Sequence, residues 1–303
     1  MSRFLLIAAL ILARSAFAED PFSFEKTPGR LPKEVVPLHY AIRLEPNAEQ
    51  ARFDGSVQIE IDARKAAKEL VLNSLGLKIS EATLDGNPIK AAADDATQLL
   101  KLSGTEVTPG KHRISLRFSG KLTEQPQGLY LARYQLPNGD QRKALVTQME
   151  PSDARRMFPC WDEPVFRSTF QLTALVPEGH TALYNMAEEK TTKLPDGRRE
   201  VVFGTTPAMS SYLVAFVSAE LEAIEDEVDG IKLRILATPG KREQMRYAME
   251  ATKKVLPYFN EYFGAKYPPC PSSTRFPFRA SQWVAWKIGG ASFTRTLRCF
   301  SIQ

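Results

Sequence analysis

Alternating apolar and polar positions predict β-strands over most of the first 230 residues. In residues 53–63, Val57, Ile59 and Ile61 are separated by polar or charged residues, which is the spacing of a half-buried antiparallel strand. Asn138-Gly139 is typical of a tight hairpin turn. Further short strands are predicted at 39–44, 70–72, 112–118, 128–134, 166–176, 182–187, 199–203 and 212–220. Because no long helical pattern interrupts these runs, they predict a mainly β domain, an antiparallel β-sandwich, over about residues 28–230.

The pattern changes after residue 230. Residues 231–237 predict a strand and 238–240 a turn, and from Lys241 onward apolar residues recur at helical spacing. These apolar positions are Met245, Ala248, Met249, Val255, Leu256, Phe259, Tyr262 and Phe263. Pro257 is expected to kink or split the helix, and Gly264 to end it. A strand followed by a helix indicates the opening of a second domain over residues 231–268.

The N-terminus has the layout of a secretory signal. Arg3 is followed by an apolar run at 4–13 and by Ala16-Phe17-Ala18, an A-x-A cleavage site. Cleavage after Ala18 predicts a periplasmic or secreted protein, with the β domain assigned to mature residues 19–230. The alternative is a buried N-terminal helix. The apolar run is too short to cross a bilayer, so no stable membrane span is expected.

Charge and cysteine content narrow the possible partners and chemistry. The net charge of +5 comes from residues 269–303, which carry five bases and no acid, so the rest of the chain is balanced. No basic stripe interleaved with aromatic residues appears, and we expect no nucleic-acid binding. The three cysteines, Cys160, Cys270 and Cys299, are too few and too far apart for a disulfide framework. Cys160 is expected to be a packed apolar residue.

The most informative segment is 147–164, which reads TQMEPSDARRMFPCWDEP. It combines acids, bases, prolines, a cysteine and a tryptophan, and no helix or strand period fits it. We therefore expect these residues to provide local geometry or chemistry rather than a repeating core face.

This segment resembles a signature of the M1 family of zinc aminopeptidases, the aminopeptidase N-like gluzincins. The family pattern is T-Q-x-E running into x-A-R-x-x-F-P-C-x-D-E-P. The resemblance extends to Pro37-Leu38-His39-Tyr40, to Phe53-x-Gly55-x-Val57 and to YFNEYFGAKYP at 258–268. It implies that residues 19–230 form the family's saddle-like β domain. It also implies that residues 231–268 form the truncated start of a thermolysin-like α/β catalytic domain.

The resemblance also implies a substrate-binding site. Glu150 matches the acid that binds the free α-amine of a peptide, and Gln148 matches a residue lining the pocket for the first side chain. The partners implied are peptides with a free N-terminal amine. Arg155, Asp162 and Glu163 are better explained as structural residues that form ion pairs and turns. The alternative for the whole segment is a polar loop with capping roles.

The metal chemistry of the family needs residues that this sequence lacks. Gluzincin peptidases hold zinc through H-E-x-x-H and a downstream glutamate. His39, His112 and His180 are isolated, and no H-E-x-x-H occurs. We therefore expect no metal ligands, no catalytic residues and no bound zinc in this chain, although the full-length family enzyme uses zinc. The competing hypothesis is a non-catalytic β-sandwich module that binds peptides or a protein partner.

Residues 269–303 are expected to be an out-of-frame tail. In a shifted reading frame, each new codon consists of the last base of one codon and the first two bases of the next. In that frame, the codons for Trp283 and Val284 together give glycine, and those for Trp286 and Lys287 give glutamate. The shifted codons beside these two allow the sequence G-G-M-E-N, which resembles the exopeptidase motif of the same family. The expectation is a reading-frame change near Pro268 and Pro269.

Overall fold

The computed structural model describes residues 22–267 and two short strands at 285–286 and 295–296. The predicted signal sequence at 1–18 and nearly all of the predicted out-of-frame tail at 269–303 lie outside the described residues. The described α-helix, α1, is Arg242–Tyr262, and single 3-10 turns lie at Ala154–Arg156 and Ser211–Leu213. The strands are, in chain order, β1 (Val35–Asn47), β2 (Arg52–Ala63), β3 (Ala67–Asn73), β4 (Leu77–Leu84), β5 (Asn87–Pro88), β6 (Lys90–Asp94), β7 (Leu99–Val107), β8 (Gly110–Lys121), β9 (Gly128–Gln135), β10 (Gln141–Gln148), β11 (Arg167–Pro177), β12 (Thr181–Tyr184), β13 (Glu188–Lys193), β14 (Arg198–Phe203), β15 (Met209–Ser210), β16 (Phe216–Ala219), β17 (Glu222–Val228), β18 (Ile231–Ala237), β19 (Ala285–Trp286) and β20 (Arg295–Thr296).

Three sheets share the main core. The largest has the order β13-β14-β11-β1-β2-β8-β4-β5, with β15 beside β11. A four-stranded sheet has the order β12-β16-β10-β9, and a three-stranded sheet the order β3-β7-β6. Val57 and Ile59 from the large sheet, Leu72 from β3 and Leu145 from β10 are buried in one hydrophobic cluster. The predicted mainly β, sandwich-like domain is therefore confirmed.

One strand pair departs from the antiparallel pattern. β1 and β11 run parallel, with His39 opposite Thr169, whereas β1 pairs antiparallel with β2. A parallel pair needs a long connection rather than a hairpin. Here the connection runs from β2 to β10 and includes the signature segment.

The strand predicted at 212–220 is only partly present. Ser211–Leu213 form a 3-10 turn, and the strand β16 begins at Phe216. The physical reason is Asn185, whose side-chain amide donates to the Leu213 carbonyl at 2.8 Å and whose oxygen accepts from the Ala215 amide at 2.8 Å. This side chain satisfies the backbone groups that a neighbouring strand would otherwise pair with.

The last described elements form a separate cluster. β17 and β18 make a hairpin through Asp229-Gly230, and both turn residues have positive φ. Met245, Met249 and Leu256 of α1 pack on this hairpin.

The helix runs unbroken through Pro257, so it is not split there, and the predicted kink stays a prediction. Leu256, directly before the proline, is buried in the hairpin core. Gly264 (φ +61°) ends the helix as predicted, and its amide donates to the Glu261 carbonyl at 3.1 Å. The predicted domain boundary at residue 230 falls in the hairpin turn and stays a prediction. Among the described residues, no helix has the length and apolar character needed to cross a membrane.

Candidate functional site

The signature segment begins on β10, which is buried on both faces. Leu145 belongs to the main core, whereas Val146 packs with Tyr134 and with Leu236 of β18 in a second cluster. Because successive side chains alternate between faces, Gln148 lies on the same face as Val146, toward the β17–β18 hairpin. The end of the strand is fixed by Thr147, whose hydroxyl accepts from the Phe216 amide at 2.8 Å and donates to the Phe216 carbonyl at 3.3 Å.

The structure brings the two predicted substrate-binding residues together. Gln148 is half-buried and Glu150 is exposed. The Gln148 side-chain amide donates to the Glu150 carbonyl at 3.3 Å, so the amide spans the intervening buried Met149. Opposite Gln148 on β9 stands Gly128, where the turn at Asp153 and Arg156 fills the space that a Cβ would take. The contact joins the Gln148 side chain to the backbone of Glu150 just past the end of β10, and the role of either residue toward an amine stays a prediction.

A tight turn fixes the chain after Glu150. The Asp153 amide donates to the Met149 carbonyl at 2.7 Å, and the 3-10 turn at Ala154–Arg156 follows. Gly128 has φ +63°, and a Cβ there would stand 2.7 Å from the Arg156 Cβ. Only glycine both accepts this backbone conformation and leaves room for the turn.

Beneath the turn lies a buried ion pair between Arg155 and Asp162. Arg155 Nε donates to Asp162 Oδ2 at 2.9 Å, and the two side chains are 12% and 1% exposed. The guanidinium also donates to Gln98 Oε1 at 2.9 Å and to the Asp162 carbonyl at 3.1 Å. The other carboxylate oxygen, Asp162 Oδ1, accepts from the Ser211 hydroxyl at 2.5 Å. These contacts confirm that Arg155 and Asp162 have a structural role.

Two further contacts join the segment to the sandwich. Asn73, at the end of β3, exchanges backbone hydrogen bonds with Cys160, and its side-chain oxygen accepts from the Asp162 amide at 3.1 Å. The Tyr40 hydroxyl accepts from the Trp161 amide at 3.1 Å. Cys160 is fully buried, and desolvation together with the nearby Asp162 carboxylate raises the pKa of its thiol well above the ordinary value. The thiol is therefore inert in the folded chain, as a packed apolar residue would be.

Glu163 holds the backbone just before β1 against the signature segment. Its Oε1 accepts from the amides of Arg30 at 2.6 Å and Leu31 at 3.0 Å. A Cβ on Gly29 would stand 2.3 Å from Glu163 Oε2, so a larger residue there would displace the Glu163 carboxylate. Sequence reasoning did not identify Gly29 or Asn73 as part of this arrangement, because both act through contacts with residues distant in the chain.

The three histidines occupy separate structural positions. His39 Nδ1 lies 2.8 Å from Thr169 Oγ1, and His180 Nδ1 lies 3.0 Å from Ser218 Oγ. His112 Nδ1 lies 2.6 Å from Asp85 Oδ2. Burial lowers the pKa of His39 and of His180, whereas the hydrogen bond to Asp85 raises the pKa of His112.

The residues that the structure describes do not fit a zinc centre. Within residues 22–267, no three histidine, cysteine, aspartate or glutamate side chains cluster closely enough to bind a metal ion. The sequence also has no H-E-x-x-H. A cleft of about 790 Å³ touches the opposite end of β10, at Gln141–Lys143, and does not include Gln148 or Glu150. No catalytic step through a metal can be derived from these residues.

Comparisons with known proteins agree with this fold. Residues 36–213 match the family model described as the Peptidase M1 N-terminal domain. The chain is 40% identical over 266 residues to an aminopeptidase N of Acetobacter pasteurianus, covering 87% of this chain and 75% of that protein. It is 36% identical to a puromycin-sensitive aminopeptidase of Caenorhabditis elegans over 79% of this chain, and 35% identical to human endoplasmic reticulum aminopeptidase 2 over 83% of it.

The extent of these matches differs among the relatives. The chain spans three quarters of the Acetobacter protein but only 26% of the nematode protein and 28% of the human one. The matched domain coincides with the sandwich that carries the signature segment. The chain therefore belongs to the M1 aminopeptidase family and contains its N-terminal domain.

Proposed function

We propose that this chain is the N-terminal, substrate-anchoring portion of a secreted zinc metallo-aminopeptidase that removes N-terminal residues from peptides. In this proposal Glu150 binds the free α-amine and Gln148 lines the pocket for the first side chain. The observation that carries the proposal is the hydrogen bond from the Gln148 amide to the Glu150 carbonyl, on a turn braced by the buried Arg155–Asp162 pair.

The arrangement suits recognition of an ammonium group. A carboxylate is the acceptor that an ammonium needs, and hydrogen bonds between charged partners are about twice as strong as neutral ones. Because the backbone on both sides of Glu150 is held by Thr147 and by the Asp153 turn, little ordering accompanies binding. A single exposed carboxylate still contributes only about 1 kcal/mol, so we expect weak binding by this chain alone.

The amine role is tested by saturation-transfer NMR with trialanine and N-acetyl-trialanine. We expect transfer to trialanine, little transfer to the acetylated peptide, and loss of the difference in Glu150→Gln. Glu124→Gln is the matched control, because Glu124 is another exposed carboxylate, paired with Arg133 far from the turn in sequence. Equal transfer to both peptides would favour the alternative, a non-catalytic peptide-binding module.

The catalytic status of the chain is a separate proposal. M1 aminopeptidases are zinc-dependent in general, and zinc supplies the activated water that attacks the peptide bond. Since His39, His112 and His180 are separately engaged, the chain as written is expected to have no turnover. An alanyl chromogenic substrate with added zinc tests this directly, and zinc-dependent release of the chromophore would contradict it.

The predicted secretion rests on residues 1–18. Expression of the chain with residues 1–18 in place is expected to give a periplasmic or secreted product beginning at Glu19. The intact mass of that product identifies the N-terminus, and a cytoplasmic product retaining Met1 would refute the proposal.

The C-terminal assignments are also proposals. The assignment of residues 231–268 to the start of a catalytic domain rests on the family resemblance; β18 and α1 share a core with β17, so the packed unit itself begins near Glu222. For residues 269–303 we propose a frame change, supported by the codon pattern around Trp283 and Trp286. Sequencing the locus tests it. An intact frame across the codons for Pro268 and Pro269, with no related frame behind it, would contradict it.

A further inference from the structure

Residues 22–34 pack against the sandwich, although they precede the part of the chain that matches the family model. We call residues 22–34 the N-terminal strap. The Phe24 ring meets the Phe166 ring edge-on, with centroids 5.5 Å apart. The guanidinium carbon of Arg64 lies 4.8 Å from the Phe24 centroid, and Arg64 Nη1 pairs with Glu25 Oε1 at 2.7 Å. The strap is therefore joined to the sandwich both after β2 and after the signature segment.

The two ends of the strap are tied together by Lys33. Its ammonium donates to three backbone carbonyls, those of Phe24, Glu25 and Thr27, at 2.6, 3.1 and 2.5 Å. An ammonium group has three donors, so all of them are used here. Lys33 Nζ also lies 5.4 Å from the Phe24 ring centroid, within the range of a cation–π attraction. These contacts fix the start of the strap against the residues directly before β1.

The far end of the strap contacts the signature segment through Glu163. Glu163 Oε1 accepts from the Arg30 and Leu31 amides at 2.6 and 3.0 Å. In the described part of the chain, the buried Oε2 atom has no hydrogen-bond partner, so the polar contacts of this carboxylate are the two strap amides. Leu31 is 4% exposed and belongs to the main core. Glu163 directly follows Asp162, which pairs with Arg155 beneath the turn.

We propose that the N-terminal strap positions the signature segment, with Lys33 and Glu163 as its two positioning residues. Lys33 lies only two residues after Leu31, so the ammonium that ties the strap together also fixes the backbone that donates to Glu163. Without the ammonium, three carbonyls lose a charged donor, and ordering the strap costs conformational entropy that these contacts no longer offset. The proposal does not depend on the role of Glu150 toward an amine.

The position of the segment is tested by ¹⁹F NMR of the full chain labelled with 5-fluorotryptophan. Trp161 lies in the signature segment and is 2% exposed, and Trp161→Phe identifies its resonance. Lys33→Met and Glu163→Gln should each move or broaden this resonance under conditions in which the chain is fully folded. Lys33→Arg keeps a cation beside the carbonyls and should change it less. Lys26→Met alters an exposed lysine of the same strap and should leave it unchanged.

The native-state resonance separates positioning from a general loss of stability, because lower stability alone does not move the signal of the folded form. A Trp161 resonance that is the same in the wild type, Lys33→Met and Glu163→Gln would overturn the proposal. A change of equal size in Lys26→Met would also overturn it.

A double-mutant cycle tests whether the two positioning residues act through one strap. From urea unfolding, the equilibrium constant for folding should fall roughly tenfold in each single variant. The Lys33→Met/Glu163→Gln double variant should fall by much less than a hundredfold, because a released strap no longer presents its amides to Glu163. Lys33→Met combined with Glu124→Gln should be additive, since Glu124 pairs with Arg133 outside the strap. Additive losses for Lys33 and Glu163 would contradict the proposal.

Discussion

Replacing Asp162 by alanine is expected to destabilise the chain strongly. The Asp162 side chain is 1% exposed and accepts hydrogen bonds from Arg155 Nε and from the Ser211 hydroxyl. Its removal leaves the guanidinium, whose side chain is only 12% exposed, without a counter-charge. Removing one partner of a buried ion pair costs about 3–5 kcal/mol, a large part of the 5–15 kcal/mol that typically stabilises a folded protein.

The measurement is thermal unfolding at neutral pH, followed by far-ultraviolet circular dichroism and by tryptophan fluorescence. The midpoint of thermal unfolding should fall by about 6–15 °C, because 1 kcal/mol corresponds to about 2–3 °C at this size. Glu124→Ala is the control, since both side chains of the Arg133–Glu124 pair are more than half exposed and its loss should leave the unfolding midpoint nearly unchanged. A cost for Asp162→Ala below about 1 kcal/mol would refute the argument that this pair braces the segment.

Three further predictions concern the same domain. The hydrogen bond to Asp85 raises the pKa of His112 in the folded chain, so the stabilising contribution of His112 is complete below the unfolded pKa of 6.5 and is lost as pH rises through the folded pKa. The difference in stability between the wild type and His112→Gln should therefore be larger near pH 5.5 than near pH 8.5. A difference that grows with pH would contradict this prediction. Gly128→Ala should destabilise more than Gly76→Ala, because both positions have positive φ but only Gly128 is packed against a neighbour, and equal unfolding midpoints would contradict that packing argument. Cys160 should resist iodoacetamide in the folded chain and react only in denaturant, as peptide mapping can show, whereas rapid labelling without denaturant would mean that the burial is wrong.

Strands with one buried face were predictable from the sequence, and polar edge strands were not. β2 alternates between core and solvent, and its pattern is visible without a structure. β6 (KAAAD) and β13 (EEKTTK) are exposed at every position, so they carry no alternating signal. They are strands because neighbouring strands supply hydrogen bonds, which depends on tertiary contacts.

The candidate site was predictable only in part for a similar reason. Gln148 and Glu150 were identified through the family signature, and their proximity follows from their separation of two residues at the end of β10. The brace beneath them requires Asn73 and Gln98 from distant elements, and no local pattern marks either residue. Asn185 likewise delays the start of a predicted strand through its side chain, an effect that hydrophobic periodicity does not contain.

The most direct test of the central claim is the carboxyl ¹³C resonance of Glu150 during titration with trialanine. The account predicts a saturable shift with the free-amine peptide and no shift with the N-acetylated peptide, while the Glu124 resonance stays constant with both. An unchanged Glu150 resonance, or the same shift with the acetylated peptide, would contradict the assignment of Glu150 as the amine anchor.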